Sequence, residues 1–108
     1  MKIIAEPLDL NKELIKNPIS TFYVRVSGDS MIGAGIHNDD ILIVDKSIEA
    51  IDKKVVIAVV DGDFTVKRFR EIDGNVSLVP ENDKYPEVDL SSSEVEIWGV
   101  VTFCVHEI

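Results

Sequence analysis

The dipeptide Asp61-Gly62, set between Val55–Val60 (VVIAVV) and residues 63–71 (DFTVKRFRE), constrains the fold of this chain more than any other feature. A two-residue primed turn needs positive φ at both central positions, which Asp and Gly supply, and the hairpin it closes has a fixed register. Val60 then pairs with Asp63, Ala58 with Thr65 and Val56 with Lys67. Asp73-Gly74 repeats the signal and predicts a further strand over residues 76–79. Residues 21–26 (TFYVRV) and 41–44 (ILIV) are mostly aromatic or β-branched and read as strands. Beyond a polar break at residues 91–94, residues 95–106 read as one long strand. Simple alternation puts Val95, Ile97, Val101, Phe103 and Val105 on one face and Trp98, Val100 and Cys104 on the other, so both faces should be covered. The helical candidate is residues 9–16, with Asp9 as N-cap, an apolar face of Leu10, Leu14 and Ile15, and an end at Asn17-Pro18. The expected fold is mostly β: antiparallel strands with one short N-terminal helix, a single domain over residues 9–108 behind a short arm, residues 1–8.

Composition narrows the function. Eleven basic against 20 acidic residues give a net charge of −9. Nucleic-acid binding gains affinity by neutralising phosphates with Lys and Arg, so direct binding to DNA or RNA is not expected. No apolar run approaches the ~18 residues of a membrane span, and the first residues do not form a signal peptide. A cytoplasmic address is therefore expected. The single cysteine, Cys104, excludes an internal disulfide and a cysteine-based zinc cage, and its apolar neighbours predict a core thiol.

Three segments could carry chemistry. Ser27-Gly28-Asp29-Ser30-Met31 follows a strand; on composition alone it reads first as a turn. The sharper reading makes Ser30 a nucleophile, with its own N–H and a neighbouring one stabilising an oxyanion. Neither His37 nor His106 lies in a triad pattern, so Ser-His-Asp is a poor reading; a lysine can also serve as the base. A lysine at its ordinary pKa is neutral in only roughly one molecule in a thousand near pH 7.4, so it must be buried to serve. Lys67 shares a strand face with Thr65 and Phe69 and faces Val56, whereas the other lysines sit in polar surroundings. The plainer reading of Lys67, a packed stem with its head in water, stays open at this level. Asp39, Asp40 and Asp45 could collect Mg²⁺ through oxygen ligands, but they lack EF-hand spacing and read better as turn residues before a strand.

Ser27–Met31 (SGDSM), residues 35–44 (GIHNDDILIV) and residues 61–69 (DGDFTVKRF), in this order, resemble the LexA/UmuD group of self-cleaving serine peptidases. Residues 9–18 (DLNKELIKNP) and Trp98-Gly99-Val100-Val101 are similar to its UmuD branch. The resemblance implies a LexA/signal-peptidase-like β-domain and a Ser-Lys dyad without cofactor or metal. Ser30 would be the nucleophile and Lys67 the general base, with Thr65 holding the lysine and the Asp29 and Ser30 N–H groups meeting the oxyanion. It also implies self-cleavage of an N-terminal arm at an Ala-Gly or Cys-Gly bond, promoted by a RecA filament. The cleaved dimer would join a UmuC-type Y-family polymerase in translesion synthesis during the SOS response. No such bond precedes Asp9, and Ala34-Gly35 lies only four residues beyond Ser30. The chain is therefore expected to correspond to a processed or shortened form. The C-terminal dimerisation and autocleavage domain of a LexA-like repressor would need a helix-turn-helix ahead of it. A signal peptidase would need a membrane anchor, and a non-catalytic protein-binding module would leave Ser30 unreactive.

Overall fold

A computed structural model describes residues 1–90 and 94–108. Its elements are the helix α1 (Leu10–Leu14) and seven strands. These are β1 (Thr21–Arg25), β2 (Ile41–Asp45), β3 (Val55–Val60), β4 (Asp63–Ile72), β5 (Asn75–Val79), β6 (Val88–Asp89) and β7 (Val95–Val105). They form one antiparallel sheet in the order β1-β2-β7-β3-β4-β5-β6, so the last strand lies between β2 and β3. The mostly-β expectation holds. No helix among the described residues is long and apolar enough to cross a membrane.

Both Asp-Gly turns have the positive φ that a primed turn demands: +48° and +90° at Asp61 and Gly62, +51° and +79° at Asp73 and Gly74. The β3–β4 register follows as read, with Val60 opposite Asp63, Ala58 opposite Thr65 and Val56 opposite Lys67. The two-residue strand β6, paired to β5 at Ser77 and Leu78, is too short for any periodicity to reveal. Of the polar break expected at residues 91–94, residues 91–93 lie outside the described residues.

The sheet carries a core on each side. One packs Val26, Met31, Ile36, Leu42, Val44 and Ile57; the other packs Val56, Ala58, Phe69, Leu78 and Val100. β7 does not alternate simply. Its partners step from Ile97 to Gly99 against β3 and from Val101 to Phe103 against β2, leaving Trp98 and Thr102 as bulge residues. Each bulge exchanges the faces beyond it. Ile97 and Val100 thus join the second core while Trp98 and Val101 join the first, which corrects the faces read from alternation. The distal end is not covered on both sides, since Phe103, Cys104 and Val105 are exposed. Cys104 is therefore not a core residue. Its thiol donates to Asp40 Oδ2 at 3.3 Å, and partial burial together with that carboxylate pushes its pKa up to about 11.

At the N-terminus, Asp9 caps α1 by accepting from the Lys12 N–H. The helix ends at Leu14, and Leu10 is exposed while Leu14 and Ile15 are half-buried, so the expected apolar face forms only in part. The segment is anchored through Asp45, a buried carboxylate at the end of β2. Asp45 accepts from Asn17 Nδ2 (2.7 Å), Ser20 Oγ (2.8 Å), and the N–H and Oγ of Ser47 (2.8 and 2.7 Å). These bonds hold its pKa well below the ordinary carboxylate range. A group depressed in the folded state contributes stability that is present above its unfolded pKa, ~4, and lost as pH falls toward the folded value. In urea denaturation, the stability advantage of the native chain over Asp45→Asn should be full at pH 6 and shrink steadily below pH 4.

Candidate active site

The loop after β1 is held from below and from one side. Val26 N–H donates to Asp40 O and Asp39 N–H to Val26 O, both at 2.8 Å, which closes the loop's base. Gly28 takes φ +106°, open to glycine and costly for other residues, and its N–H donates to Asn38 Oδ1 at 2.8 Å. Met31, 1% exposed, roots the far end in the core. Ser30 therefore sits between two anchors rather than at the tip of a free turn.

A third anchor comes from residues 80–87, the connection between β5 and β6. Glu81 N–H donates to Ser30 O at 2.9 Å, and Gly33 N–H returns a bond to Glu81 O at 2.8 Å. The backbones approach so closely that a Cβ on Gly33 would lie 2.7 Å from Glu81 O. Asn82 Nδ2 donates to Asp29 O at 3.0 Å and Tyr85 OH to Asp29 Oδ1 at 2.5 Å. That carboxylate raises the Tyr85 pKa. Arg68 Nε reaches Glu81 Oε1 at 3.0 Å and ties the connection back to β4. Sequence reading missed these residues. Asn82-Asp83-Lys84-Tyr85 carries only turn composition, and nothing local shows that it braces a loop some 50 positions earlier.

Lys67 approaches from β4. Its Nζ lies 3.0 Å from Ser30 Oγ, 2.7 Å from Thr65 Oγ1 and 3.1 Å from Val66 O. The residue is 8% exposed, and among the described residues no carboxylate pairs with it. Desolvation therefore pushes its pKa down. Three oxygens surround the amine; in its neutral form two N–H groups would serve Thr65 and the Val66 carbonyl, and the lone pair would receive the Ser30 O–H. A cleft of about 310 Å³ opens beside the pair, lined by Val24, Ser27, Ser30, Leu42, Phe64 and Thr65 among others. Among the described residues the Asp29 and Ser30 N–H groups donate to no protein acceptor, leaving them available to an incoming oxygen.

The structure brings Ser30, Lys67 and Thr65 together and sets Asp29 beside them. Asp39, Asp40 and Asp45 do not converge, and among the described residues no cluster of His, Cys, Asp or Glu is arranged to hold a metal. Asp40 is buried and accepts from the His37 N–H (2.7 Å) and Cys104, and bonds His106 Nδ1 (2.5 Å). Burial pushes its carboxyl up, but these bonds outweigh burial and hold it at about 2. The two histidine rings lie 5.1 Å apart beside this carboxylate, and neither is a hydrogen-bond partner of Ser30 or Lys67.

A Peptidase S24-like family model matches residues 2–102. The chain belongs to the S24-like peptidase family. It is 43% identical over 102 residues to protein SamA of Salmonella typhimurium, covering 94% of this chain and 71% of that protein. It is 38% identical over 104 residues to protein MucA of Escherichia coli, covering 94% and 70%. The LexA repressor of Clostridioides difficile is 41% identical over 100 residues, covering 92% of this chain and 47% of the repressor. The family assignment agrees with the resemblance carried by SGDSM and TVKRF.

A buried amine with a depressed pKa weakens the fold where it is charged. That cost is full below the folded pKa and is relieved as pH rises toward the ordinary value of ~10.4. Lys67→Met, which keeps the volume and removes the charge, should gain thermal stability relative to the native chain at pH 6. The gain should fade by pH 10, as read by paired melting curves.

Proposed function

We propose that this chain is a Ser-Lys dyad peptidase domain of the self-cleaving type. The carrying observation is the 3.0 Å contact between Lys67 Nζ and Ser30 Oγ, made by a buried lysine that has no anionic partner among the described residues. Neutral Lys67 takes the Ser30 hydroxyl proton as Oγ attacks the carbonyl carbon of the scissile bond. The oxygen of the tetrahedral intermediate accepts from the Asp29 and Ser30 N–H groups. Collapse breaks the C–N bond, and the Lys67 ammonium returns the proton to the departing amine. Water, deprotonated by the same lysine, then hydrolyses the acyl-serine ester. Thr65 holds the amine in place throughout.

The substrate is a peptide segment with an Ala-Gly or Cys-Gly bond, and the biological setting is that of the UmuD branch. There, a RecA filament promotes cleavage, and a dimer serves as accessory subunit of a UmuC-type translesion polymerase. The similarity to SamA and MucA, spread over nearly the whole chain, supports that branch. An exposed row supports the dimer: Tyr23, Ile43 and Phe103 stand opposite one another across β1, β2 and β7, with Tyr23 69% and Phe103 40% exposed. With a net charge of −9, contact with a replication fork runs through protein partners rather than DNA. The identity with the LexA repressor favours a second reading, the autocleavage domain of a repressor, which shares the chemistry and differs in partner.

Two measurements test this reading. A peptide bearing an Ala-Gly or Cys-Gly bond, supplied in trans, should be cut at a rate that rises with pH and levels off below the ordinary lysine range. Ser30→Ala, Lys67→Ala and Lys67→Arg should each lower that rate at least about a hundredfold with the fold retained. Unchanged cleavage by Lys67→Ala would overturn the mechanism. In sedimentation at micromolar concentration the chain should run at twice its monomer mass, and a purely monomeric boundary would count against the dimer.

A further inference from the structure

The two carbonyls that flank the Ser30 amide and follow its Cα are both held by one segment outside the dyad. Asn82 Nδ2 donates to Asp29 O at 3.0 Å, shorter than the 3.2 Å bond that Ile32 N–H makes to the same oxygen within the loop, and Glu81 N–H donates to Ser30 O at 2.9 Å. The described residues contain no cis peptide bond. In a planar trans peptide the C=O and the following N–H point in opposite directions, so holding Asp29 C=O aims the Ser30 N–H to the far side, away from the connection. The Asn82 amide is itself oriented, because its Oδ1 accepts from Lys84 N–H at 3.0 Å and leaves Nδ2 facing Asp29. Tyr85 OH fixes the side chain of the same residue at Asp29 Oδ1.

From this geometry we infer that Asn82 is a positioning residue: it sets the direction of the Ser30 N–H that meets the oxyanion, with Tyr85 as its auxiliary. The inference rests on the peptidase reading of Ser30 and assigns a specific task to the connection between β5 and β6. Asn82 touches neither substrate nor Lys67. Its loss therefore misaims a donor that acts in the tetrahedral state and leaves ground-state binding and the base alone. Removal of one oxyanion donor costs ~10²–10³ in kcat; misdirecting it should cost about ten- to hundredfold.

The test compares the native chain with Asn82→Ala, and with Asn82→Leu, which keeps the side-chain bulk without a donor. Each is assayed on the Ala-Gly peptide in trans and for binding of a matched peptide boronate, whose tetrahedral adduct on Ser30 places an oxygen where the oxyanion forms. The expected result is a ten- to hundredfold fall in kcat, KM within about twofold, a parallel fall in boronate affinity, and an unchanged midpoint of the pH–rate profile. If Asn82→Ala fails to fold by circular dichroism, Asn82→Leu is the variant read. Native kcat and boronate affinity in the folded variant would overturn the inference, as would a loss carried by KM or a displaced pH midpoint. If the native chain neither cuts the peptide nor binds the boronate better than Ser30→Ala does, the peptidase reading itself falls. That outcome is distinct from an active native chain with an equally active Asn82 variant.

Discussion

Placing the Lys67 amine 3.0 Å from Ser30 Oγ, with 8% of the residue exposed and no carboxylate paired with it among the described residues, costs solvation that the rest of the structure must offset. A salt bridge would remove that cost and, with it, the amine's access to its neutral form. The fold instead supplies neutral oxygens, from Thr65 and the Val66 carbonyl, and sets the lysine opposite the buried Val56 in the β3–β4 ladder. Two independent constraints must then agree within an ångström. The β3–β4 hairpin sets where Lys67 stands, and the loop after β1 sets where Ser30 stands, 37 positions earlier in the chain.

The two constraints differ in how visible they are in the sequence. The hairpin was legible because Asp61-Gly62 permits one short turn, and one turn permits one register; each residue pair followed by counting. Ser30 and Lys67 were legible only as candidates, for a serine in a Ser-Gly-Asp loop and a lysine in a strand are ordinary residues. The order of SGDSM and TVKRF along the chain raised them above that. The bracing of the Ser30 loop was not legible, because Asn82 and Tyr85 act across the fold and leave no periodic trace. Nor were the bulges at Trp98 and Thr102. An alternating pattern presumes an unbroken ladder, and one inserted residue exchanges every face beyond it. The misplacement of Cys104 has a different origin: its neighbours are apolar, but the end of β7 that carries them is exposed.

Bulges and braces also account for the position of the cleft. β7 crosses the centre of the sheet, and its two bulges let one strand contribute to both cores: Trp98 and Val101 on the side of Met31 and Leu42, Ile97 and Val100 on the side of Phe69 and Leu78. Phe64, at the turn end of β4, stacks edge-on against Trp98 at 5.1 Å and stands at the rim of the cleft. The site is thus built where a strand-end loop, a hairpin and a returning connection meet. Hydrogen bonds from the connection hold the Ser30 loop in place, as the proposed electrostatic stabilisation would require.

The central claim is that Lys67 is held ready to be neutral, and the nitrogen itself reports that state. Side-chain ¹⁵Nζ NMR of uniformly labelled protein, with the Lys67 resonance assigned by its absence in Lys67→Met, follows each lysine through its titration. The expected result is that Lys67 deprotonates below the ordinary lysine value and that its midpoint coincides with the midpoint of the cleavage rate. A Lys67 resonance that titrates near the ordinary lysine value of ~10.4 would contradict the account.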